Sequence, residues 1–356
     1  MTGIDYEGAV RERYSSGAQQ RVSELCCAVD YDPRYLEVIP AEILERDYGC
    51  GDPSRFVREG DRVLDLGSGT GKICYIAAQI VGPKGSVLGI DVNDDMLGLA
   101  RSHQQAIGER IGFHNVTFRK AEIQDLRLDL EPIEAFLVQH PVQSLHDLTA
   151  LEAEKRRLRR EAPLVPDGSI DLVLSNCVLN LVRPDAKQLL FAEIFRVLAP
   201  GGRIAISDIV SDRDVPQAMQ EDPELWSGCI SGAIREDRFL GAFAEVGFQG
   251  IRIAVRGEAP WQVVEGIEFR SVTVTAMKPH ALKAPSRTLL YRGPWAAVQS
   301  ESGRTIRRGQ AFEAPASEAA TLTSEAYGTE VLDVSAAKSS GCCAPAPASD
   351  SKSSCC

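Results

Sequence analysis

The chain has 356 residues, of which 44% are hydrophobic and 25% charged, a composition typical of a soluble globular protein long enough for two or three domains. Its formal net charge of −11 disfavours nucleic acid and anionic membrane surfaces as partners. No apolar run reaches the roughly 18 residues of a membrane span. Because the polar N-terminus is also unlike a signal peptide, we expect a cytoplasmic protein.

The first 210 residues contain two kinds of pattern. Residues 1–60 have helical apolar spacing and predict an N-terminal helical segment. From residue 61 to 210, strand-like and helix-like segments alternate, which is typical of a doubly wound, Rossmann-like α/β fold with a mostly parallel sheet. A long stretch at about 122–168 interrupts the alternation. Its charge-alternating segment LEAEKRRLRRE predicts a surface helix, and the alternative is a functional basic patch.

The rest of the chain divides by composition and pattern. Residues 211–280 mix helix and strand signals, and residues 281–333 predict a small C-terminal β unit. The Ala, Ser, Pro and Lys-rich tail cannot bury a core and is predicted to be disordered. The predicted domains are therefore 1–60, 61–210, 211–280, 281–333 and 334–356.

A glycine-rich turn, DLGSGTG at residues 65–71, follows the first strand of the alternating region. Glycines let a backbone turn tightly and approach a ligand, and the second strand ends at Asp91, where a carboxylate can bind ribose hydroxyls. This combination fits a dinucleotide as well as S-adenosylmethionine. The G-x-G-x-G spacing and the negative charge of Asp65 disfavour a pyrophosphate, so the sulfonium cofactor is the better fit.

Ten cysteines lie in the chain, and their arrangement does not fit a zinc site. There is no C-x-x-C pair, and no histidine lies near a cysteine at ligand spacing. From the residues alone, Cys177 at the end of a predicted strand can be core filler, a nucleophile or a ligand for something that prefers sulfur. Cys74, among apolar residues of a predicted helix, fits core filler by composition. Three pairs are adjacent in sequence: Cys26-Cys27, Cys342-Cys343 and Cys355-Cys356.

Five segments together resemble the arsenite methyltransferases, which use S-adenosylmethionine. They are ERDYGCGDP, VLDLGSGTGKICY, LVLSNCVLNLV, ISDIVSDRDVP and ELWSGCISGA, and the likeness runs from about residue 8 to residue 280. The resemblance implies a class I methyltransferase fold in which 211–280 is an α+β arsenic-binding region. It also implies an enzyme that methylates arsenite and methylarsenite in arsenic detoxification. The alternatives are a methyltransferase for a small organic acceptor, such as a quinone or sterol, and a non-catalytic arsenic-binding protein.

The resemblance further implies roles for individual cysteines. Cys177 and Cys229 match the pair that holds trivalent arsenic in the family. Cys74 matches a cysteine that works with Cys26 or Cys27 in a redox relay, and it is a possible third ligand. Cys50 matches a further family cysteine to which we assign no role. The tail pairs either deliver arsenic or are dispensable.

The cofactor site also carries over from the family. Asp91 is expected at the ribose, and Met96 and Ile123 are expected against the adenine. Asp65 and Asn176, which lie at the ends of predicted strands, are also expected to bind the cofactor. The full set of expected cofactor-binding residues is Asp65, Gly67, Ser68, Gly69, Asp91, Met96, Ile123 and Asn176.

Two departures from the family lie next to these cysteines. Lys72-Ile73 stands where Arg-Asp is common, and Ser227-Gly228 stands where Gly-Glu is frequent. No proton leaves the arsenic nucleophile, so no general base is required. The missing glutamate therefore does not remove the sulfur ligand at Cys229.

The chemistry of arsenic explains why the family uses thiols. Trivalent arsenic is soft, takes three thiolates in a pyramid and keeps a lone pair that can attack a methyl group in line. Low thiolate pKa values would favour its binding. A nearby thiol pair can return arsenic to the trivalent state by forming a disulfide, which thioredoxin or glutathione resets. The third sulfur comes either from a protein cysteine or from a thiol that arrives with the substrate.

We expect the protein to be a monomer.

Overall fold

The computed structural model describes residues 5–20 and 29–335. The chain forms two compact units, which divide between Ala281 and Leu282. The domain boundaries predicted within the first of these units stay predictions. Six of the cysteines discussed above, Cys26, Cys27 and the four in the tail, lie outside the described residues.

Within residues 5–20 and 29–61, three α-helices precede the sheet of the first unit. Helix α1 begins after Asp5, whose carboxylate accepts a hydrogen bond from the Gly8 amide at 2.8 Å and so caps the first turn. The three helices are α1 (Tyr6–Gln19), α2 (Pro33–Leu36) and α3 (Ala41–Glu45).

Strands and helices then alternate, as the sequence predicts. Helix ends have local causes: the Asn93 side chain caps one helix, and Gly112 ends the same helix in a left-handed conformation with φ of 86°. The elements are β1 (Arg62–Leu66), α4 (Lys72–Val81), β2 (Ser86–Asp91), α5 (Asp94–Ile111), β3 (Val116–Lys120), α6 (Leu130–Gln139), α7 (Leu145–Glu161), β4 (Ile170–Asn176), α8 (Lys187–Val197) and β5 (Leu198–Ser211).

The stretch at 122–168 contains two helices rather than one. The predicted surface helix is confirmed as α7, which begins after the capping residue Ser144 and buries only Leu151 and Leu158. Helix α6 precedes it and packs against it through a small cluster that includes Leu128 and Ile133. The insertion is therefore a helical pair with a small apolar core of its own.

Seven short elements complete the first unit: α9 (Gln217–Gln220), α10 (Pro223–Ser227), β6 (Ile234–Arg235), α11 (Glu236–Glu245), β7 (Gln249–Arg256), β8 (Gln262–Val264) and β9 (Ile267–Met277). Strands β7 and β9 join the main sheet, whose order is β3-β2-β1-β4-β5-β9-β7. The first five strands of that order are parallel, and β9 is antiparallel to both β5 and β7. The predicted doubly wound α/β fold is confirmed.

Hydrophobic clusters cover both faces of this sheet. Successive residues of a strand point to opposite faces, so Leu172 and Leu174 pack into one cluster while Val173 packs into the other. The strand order reverses between β1 and β4. A crevice forms at such a switch point, beyond the carboxyl ends of the strands, and it is where sheets of this kind bind ligands.

The second unit is a small β structure with one helix. Its core includes Leu289, Tyr291 and Leu322, all buried. Its elements are β10 (Arg287–Tyr291), β11 (Ala297–Gln299), β12 (Thr305–Arg307), β13 (Ala311–Ala314), α12 (Ala316–Leu322) and β14 (Val331–Asp333). In the part of the chain that the structure describes, no helix has the length and apolar character needed to cross a membrane.

Candidate active site

A cavity opens at the carboxyl ends of β1, β2 and β4, where the strand order reverses. Its empty space is about 1270 Å³, open solvent at its mouth included. This is ample for a ligand of cofactor size. The structure brings together all the residues predicted to bind the cofactor, because the cavity is lined by Asp65, Gly67, Ser68, Gly69, Asp91, Met96, Ile123 and Asn176.

The glycine turn forms one wall of this cavity. Gly67 and Gly69 have φ values of 69° and 51°, in the left-handed region that glycine adopts without strain. A Cβ on Gly67 would lie 2.5 Å from the Val178 side chain, whereas a Cβ on Gly69 would meet nothing within 4 Å. Asp91 fixes the turn, since its Oδ2 accepts a hydrogen bond from the Gly69 amide at 2.8 Å. The carboxylate keeps further lone pairs for a ligand.

The residues present fit S-adenosylmethionine. The Ser68 hydroxyl is buried on the cavity wall and has no hydrogen-bond partner within the described residues, so it is available to a polar ligand. Met96 and Ile123 supply an apolar wall. Asp65 is a buried carboxyl whose pKa is raised to about 7, chiefly by burial. A cationic ligand beside it would favour its ionised form.

Helix α1 supplies part of the cavity wall, which the sequence analysis did not predict. Glu7, Arg11 and Tyr14 of this helix line the cavity. The helix is tied to the cofactor side through Asn93, whose amide donates to the Arg11 carbonyl and to the Ser15 hydroxyl. No local motif signals these contacts, because the paired residues are far apart in sequence.

Three buried thiols meet beside the cavity. Cys50, Cys177 and Cys229 belong to one cluster and are 5%, 6% and 2% exposed. Cys177 packs with both Cys229 and Cys50 in this cluster, and it also lines the cavity. The structure thus brings together the predicted pair. It adds Cys50, to which the sequence analysis assigned no role.

The two predicted ligands share an unusual backbone conformation. Cys177 has φ of 64° and Cys229 has φ of 61°, and Glu265 is the one other non-glycine residue with positive φ in the described ranges. An L-residue in this region is destabilised by about 1–2 kcal/mol, so both turns must be held by their surroundings. The Cys229 thiol contributes to this by donating a hydrogen bond to the Cys177 carbonyl at 3.2 Å.

The buried Asp208 and the half-buried Lys187 anchor the turns that carry these cysteines. The Asp208 carboxylate accepts hydrogen bonds from the Leu179 amide and from the Asn180 side chain, both at 2.9 Å. The Lys187 ammonium donates to the Gly232 carbonyl at 2.5 Å. Burial raises the pKa of Asp208 to about 6 and lowers that of Lys187 to about 8. Each group therefore holds the turn after one of the two thiols.

Cys74 lies apart from the other three thiols. It is fully buried in a different hydrophobic cluster from theirs, and its thiol donates a hydrogen bond to Asp65 at 3.2 Å. Burial raises the pKa of this thiol well above its usual value. The structure does not bring Cys74 to the cluster of Cys50, Cys177 and Cys229. Its predicted redox partners, Cys26 and Cys27, lie outside the described residues.

The pKa values of two of the clustered thiols are raised. Hydrogen bonds with the neighbouring thiols, followed by burial, raise the pKa of Cys177 well above its usual value. Burial raises the pKa of Cys50. Over residues 5–20 and 29–335, no group of three or more His, Cys, Asp or Glu side chains could hold a metal ion. Raised pKa values favour the protonated thiol form of Cys50 and Cys177.

Comparisons with known proteins show which family the chain belongs to. A family model described as "Methyltransferase domain" matches residues 58–247, more than half of the chain. An arsenite methyltransferase of Aquipseudomonas alcaligenes is 31% identical over 300 residues, which cover 79% of this chain and 76% of that protein. The chain belongs to the arsenite methyltransferase family. The family predicted from the sequence is confirmed.

Other members of the arsenite methyltransferase family match over similar lengths. The mouse arsenite methyltransferase is 29% identical over 312 residues, covering 83% of this chain and 73% of the mouse protein. The crystal structure of CrArsM, an arsenic(III) S-adenosylmethionine methyltransferase from Chlamydomonas reinhardtii, superposes with a TM-score of 0.58 at 26% identity. That superposition covers 86% of this chain and 96% of CrArsM. A model of a domain of unknown function, DUF8838, matches residues 281–356.

Proposed function

We propose that this protein transfers methyl groups from S-adenosylmethionine to trivalent arsenic held by Cys50, Cys177 and Cys229. The observation that carries the proposal is the position of Cys177. It packs in one cluster with Cys50 and Cys229, its carbonyl accepts a hydrogen bond from the Cys229 thiol, and it lines the cavity that contains all the predicted cofactor-binding residues. When bound, S-adenosylmethionine supplies an electrophilic methyl group on its sulfonium sulfur. This methyl transfer serves arsenic detoxification.

Neutral thiols suit the neutral form in which arsenite exists near pH 7. Arsenous acid, As(OH)₃, reacts with three thiols to give As(SR)₃ and three molecules of water. Each thiol proton leaves with one hydroxide, so no net charge is buried and no proton is released to solvent. This balance explains how thiols with raised pKa values can bind arsenic. A metal cation would instead require the thiols to lose their protons.

The left-handed turns at Cys177 and Cys229 also favour arsenic binding. They direct two thiols from separate segments, 52 residues apart, into one cluster. Because Asp208 and Lys187 form hydrogen bonds with these turns, the thiols are held in place before arsenic arrives. Positioning the arsenic lone pair toward the cavity is the main contribution the chain makes to the reaction.

The return of pentavalent arsenic to the trivalent state needs two electrons, which two thiols supply when they join as a disulfide. Cys50 is better placed for this role than Cys74, because Cys50 contacts Cys177 whereas Cys74 is engaged with Asp65. Thioredoxin or glutathione then reduces the disulfide. The expectations of a monomeric, cytoplasmic protein, and of a role for Cys26 or Cys27, stay predictions.

The proposal is tested by product analysis. The purified protein is incubated with arsenite, S-adenosylmethionine and a thiol reductant, and the arsenic species are separated by chromatography with arsenic-specific detection. The wild type is expected to form methylated arsenic, and Cys177→Ser is expected to form none. If Cys177→Ser forms as much as the wild type, arsenic is not held by this thiol and an organic methyl acceptor becomes the better candidate.

A further inference from the structure

We propose that Asn176 is a positioning residue that holds Cys50 beside Cys177 and thereby makes the arsenic site a three-thiol site. The inference rests on the proposed function. It deepens that function, because it concerns the number of protein sulfurs on arsenic. It also changes the expectation for Asn176, which the sequence analysis assigned to the cofactor.

The Asn176 side chain hydrogen-bonds the backbone of Cys50 and Gly51. Its Oδ1 accepts hydrogen bonds from the amides of Cys50, at 2.9 Å, and Gly51, at 3.2 Å. Its Nδ2 donates to the Gly51 carbonyl at 2.7 Å and to the Tyr31 hydroxyl at 3.3 Å. Both ends of the amide are thus engaged by this loop and by Tyr31, which itself donates to the Gly51 carbonyl at 3.0 Å.

The glycines on either side of Cys50 make room for this contact. A Cβ on Gly49 would lie 2.1 Å from Asn176 Nδ2, and a Cβ on Gly51 would lie 2.6 Å from the Ser207 hydroxyl. Neither glycine has a positive φ, so the reason for glycine at both positions is close approach rather than backbone conformation. The segment Gly49-Cys50-Gly51 is therefore shaped to fit against Asn176 and β5.

The position of Asn176 in the chain explains why its contact with the Cys50 loop affects the thiol cluster. Asn176 is the residue before Cys177, so the side chain that fixes the Cys50 loop belongs to the same turn as the neighbouring thiol. An amide fixes the Cys50 loop without adding a charge beside the thiols, whereas a carboxylate would add one. The Cys50 backbone also accepts a hydrogen bond from the Ser271 hydroxyl, to the Cys50 carbonyl at 2.6 Å. Without the Asn176 amide, the Cys50 N–H loses its partner, and the loop keeps this bond and the Tyr31 bond to the Gly51 carbonyl.

Loss of the amide should therefore separate Cys50 from the other two thiols. Cys177 and Cys229 stay together, because their own contacts do not involve Asn176. Arsenic would then be held by these two thiols, and a water or an external thiol would take the third position. The expected signature is a change in the number of protected thiols, which a general loss of stability does not produce.

The test measures which cysteines arsenite protects from alkylation. The full-length protein is treated with iodoacetamide with and without arsenite, and the modified cysteines are located by mass spectrometry. The variants are Asn176→Ala, which removes the amide, and Gly49→Ala, which displaces it. The matched control is Asn115→Ala: the Asn115 amide also donates to two backbone carbonyls, those of Ala78 and Gly82, but it lies away from the thiols.

In the wild type and in Asn115→Ala, arsenite is expected to protect Cys50, Cys177 and Cys229. In Asn176→Ala and Gly49→Ala, Cys50 is expected to lose protection while the other two keep it, with an arsenite affinity about 10- to 100-fold lower. If arsenite protects Cys50 in both of these variants, or fails to protect it in Asn115→Ala, the positioning role is overturned. If arsenite protects none of the three in the wild type, the proposed function itself fails.

Discussion

Cys177 and Cys229 form a hydrogen-bonded pair in which both residues adopt left-handed backbone conformations. The Cys229 thiol donates to the Cys177 carbonyl at 3.2 Å, and the two φ values are 61° and 64°. Backbone strain of this kind persists only where the surrounding structure determines it, and it concentrates at functional sites. The Asp208 and Lys187 contacts to the adjoining turns provide that support.

This strain predicts the relative stability of two substitutions at position 177. Cys177→Gly should be more stable than Cys177→Ala by about 1 kcal/mol, because only glycine adopts positive φ without a Cβ penalty. Urea unfolding monitored by circular dichroism measures the difference. Cys74 is the control, since it lies inside α4. There, glycine should be less stable than alanine by about 1 kcal/mol. The same order of stabilities at both positions would show that the backbone at 177 is unstrained.

The thiol cluster predicts different effects for Cys50 and Cys74 on arsenite binding. Cys50→Ala should weaken arsenite affinity by more than about 10-fold, because one of three sulfur ligands is lost. Cys74→Ala should leave the affinity within about twofold, since the thiol lies in a different hydrophobic cluster and is bonded to Asp65. Equilibrium titration with arsenite under reducing conditions measures both values. An equal loss in the two variants would place Cys74 in the arsenic site.

The cofactor cavity predicts a large effect at Asp91. Asp91→Ala should weaken S-adenosylmethionine binding by about 10- to 100-fold, because the carboxylate both fixes the Gly69 amide and faces the cavity. Isothermal titration calorimetry with S-adenosylmethionine measures the change. Asp94→Ala is the control: Asp94 is exposed, pairs with Lys120 and does not line the cavity. A comparable loss in Asp94→Ala would indicate a nonspecific electrostatic effect.

The buried carboxyl of Asp65 predicts a pH dependence of stability. Its pKa is raised to about 7 in the folded protein, so it keeps its proton at pH values where the unfolded chain has lost it. Its contribution therefore makes stability fall as the pH rises from about 4 to about 7, by at most about 1.4 kcal/mol per pH unit. Asp65→Asn, which stays neutral, should gain stability over the wild type across that window in urea unfolding.

Asp171 provides a control of opposite sign. The hydrogen bond with Arg62 lowers the pKa of Asp171, so its ionised form adds stability above the unfolded pKa, which is lost as the pH falls. Asp171→Asn should accordingly be less stable than the wild type at pH 7, and the difference should shrink in acid. If Asp65→Asn and Asp171→Asn shift stability in the same direction with pH, the assignment of the Asp65 pKa is wrong.

Features determined by neighbouring residues were predictable from the sequence. The alternation of strands and helices, the glycine turn before α4 and the acidic end of β2 are local patterns, and the cavity unites this turn and Asp91 with the cofactor residues that the family resemblance implied. The family resemblance located Cys177 and Cys229 because each lies in a distinctive short segment.

Features that depend on distant contacts were not predictable. Cys50 is fixed by Asn176, 126 residues away, and Tyr14 approaches Cys229 across 215 residues, at 3.8 Å between its hydroxyl and the thiol. Nothing in the segments around Cys50 and Tyr14 encodes these distances. The separation of Cys74 from the other thiols has the same origin: it lies one helical turn from the glycine loop, yet it packs in another cluster and its thiol bonds to Asp65.

The most direct test of the account is methyl transfer in a single turnover. Arsenite is bound to an equimolar amount of reduced protein, S-adenosylmethionine with a deuterated methyl group is added, and the arsenic species are analysed by mass spectrometry. The account predicts deuterated methylarsenic in the wild type, and none when Cys177 is replaced by serine. Transfer of the label to arsenic by Cys177→Ser at the wild-type rate, or no transfer by a wild type that has bound both ligands, would contradict it.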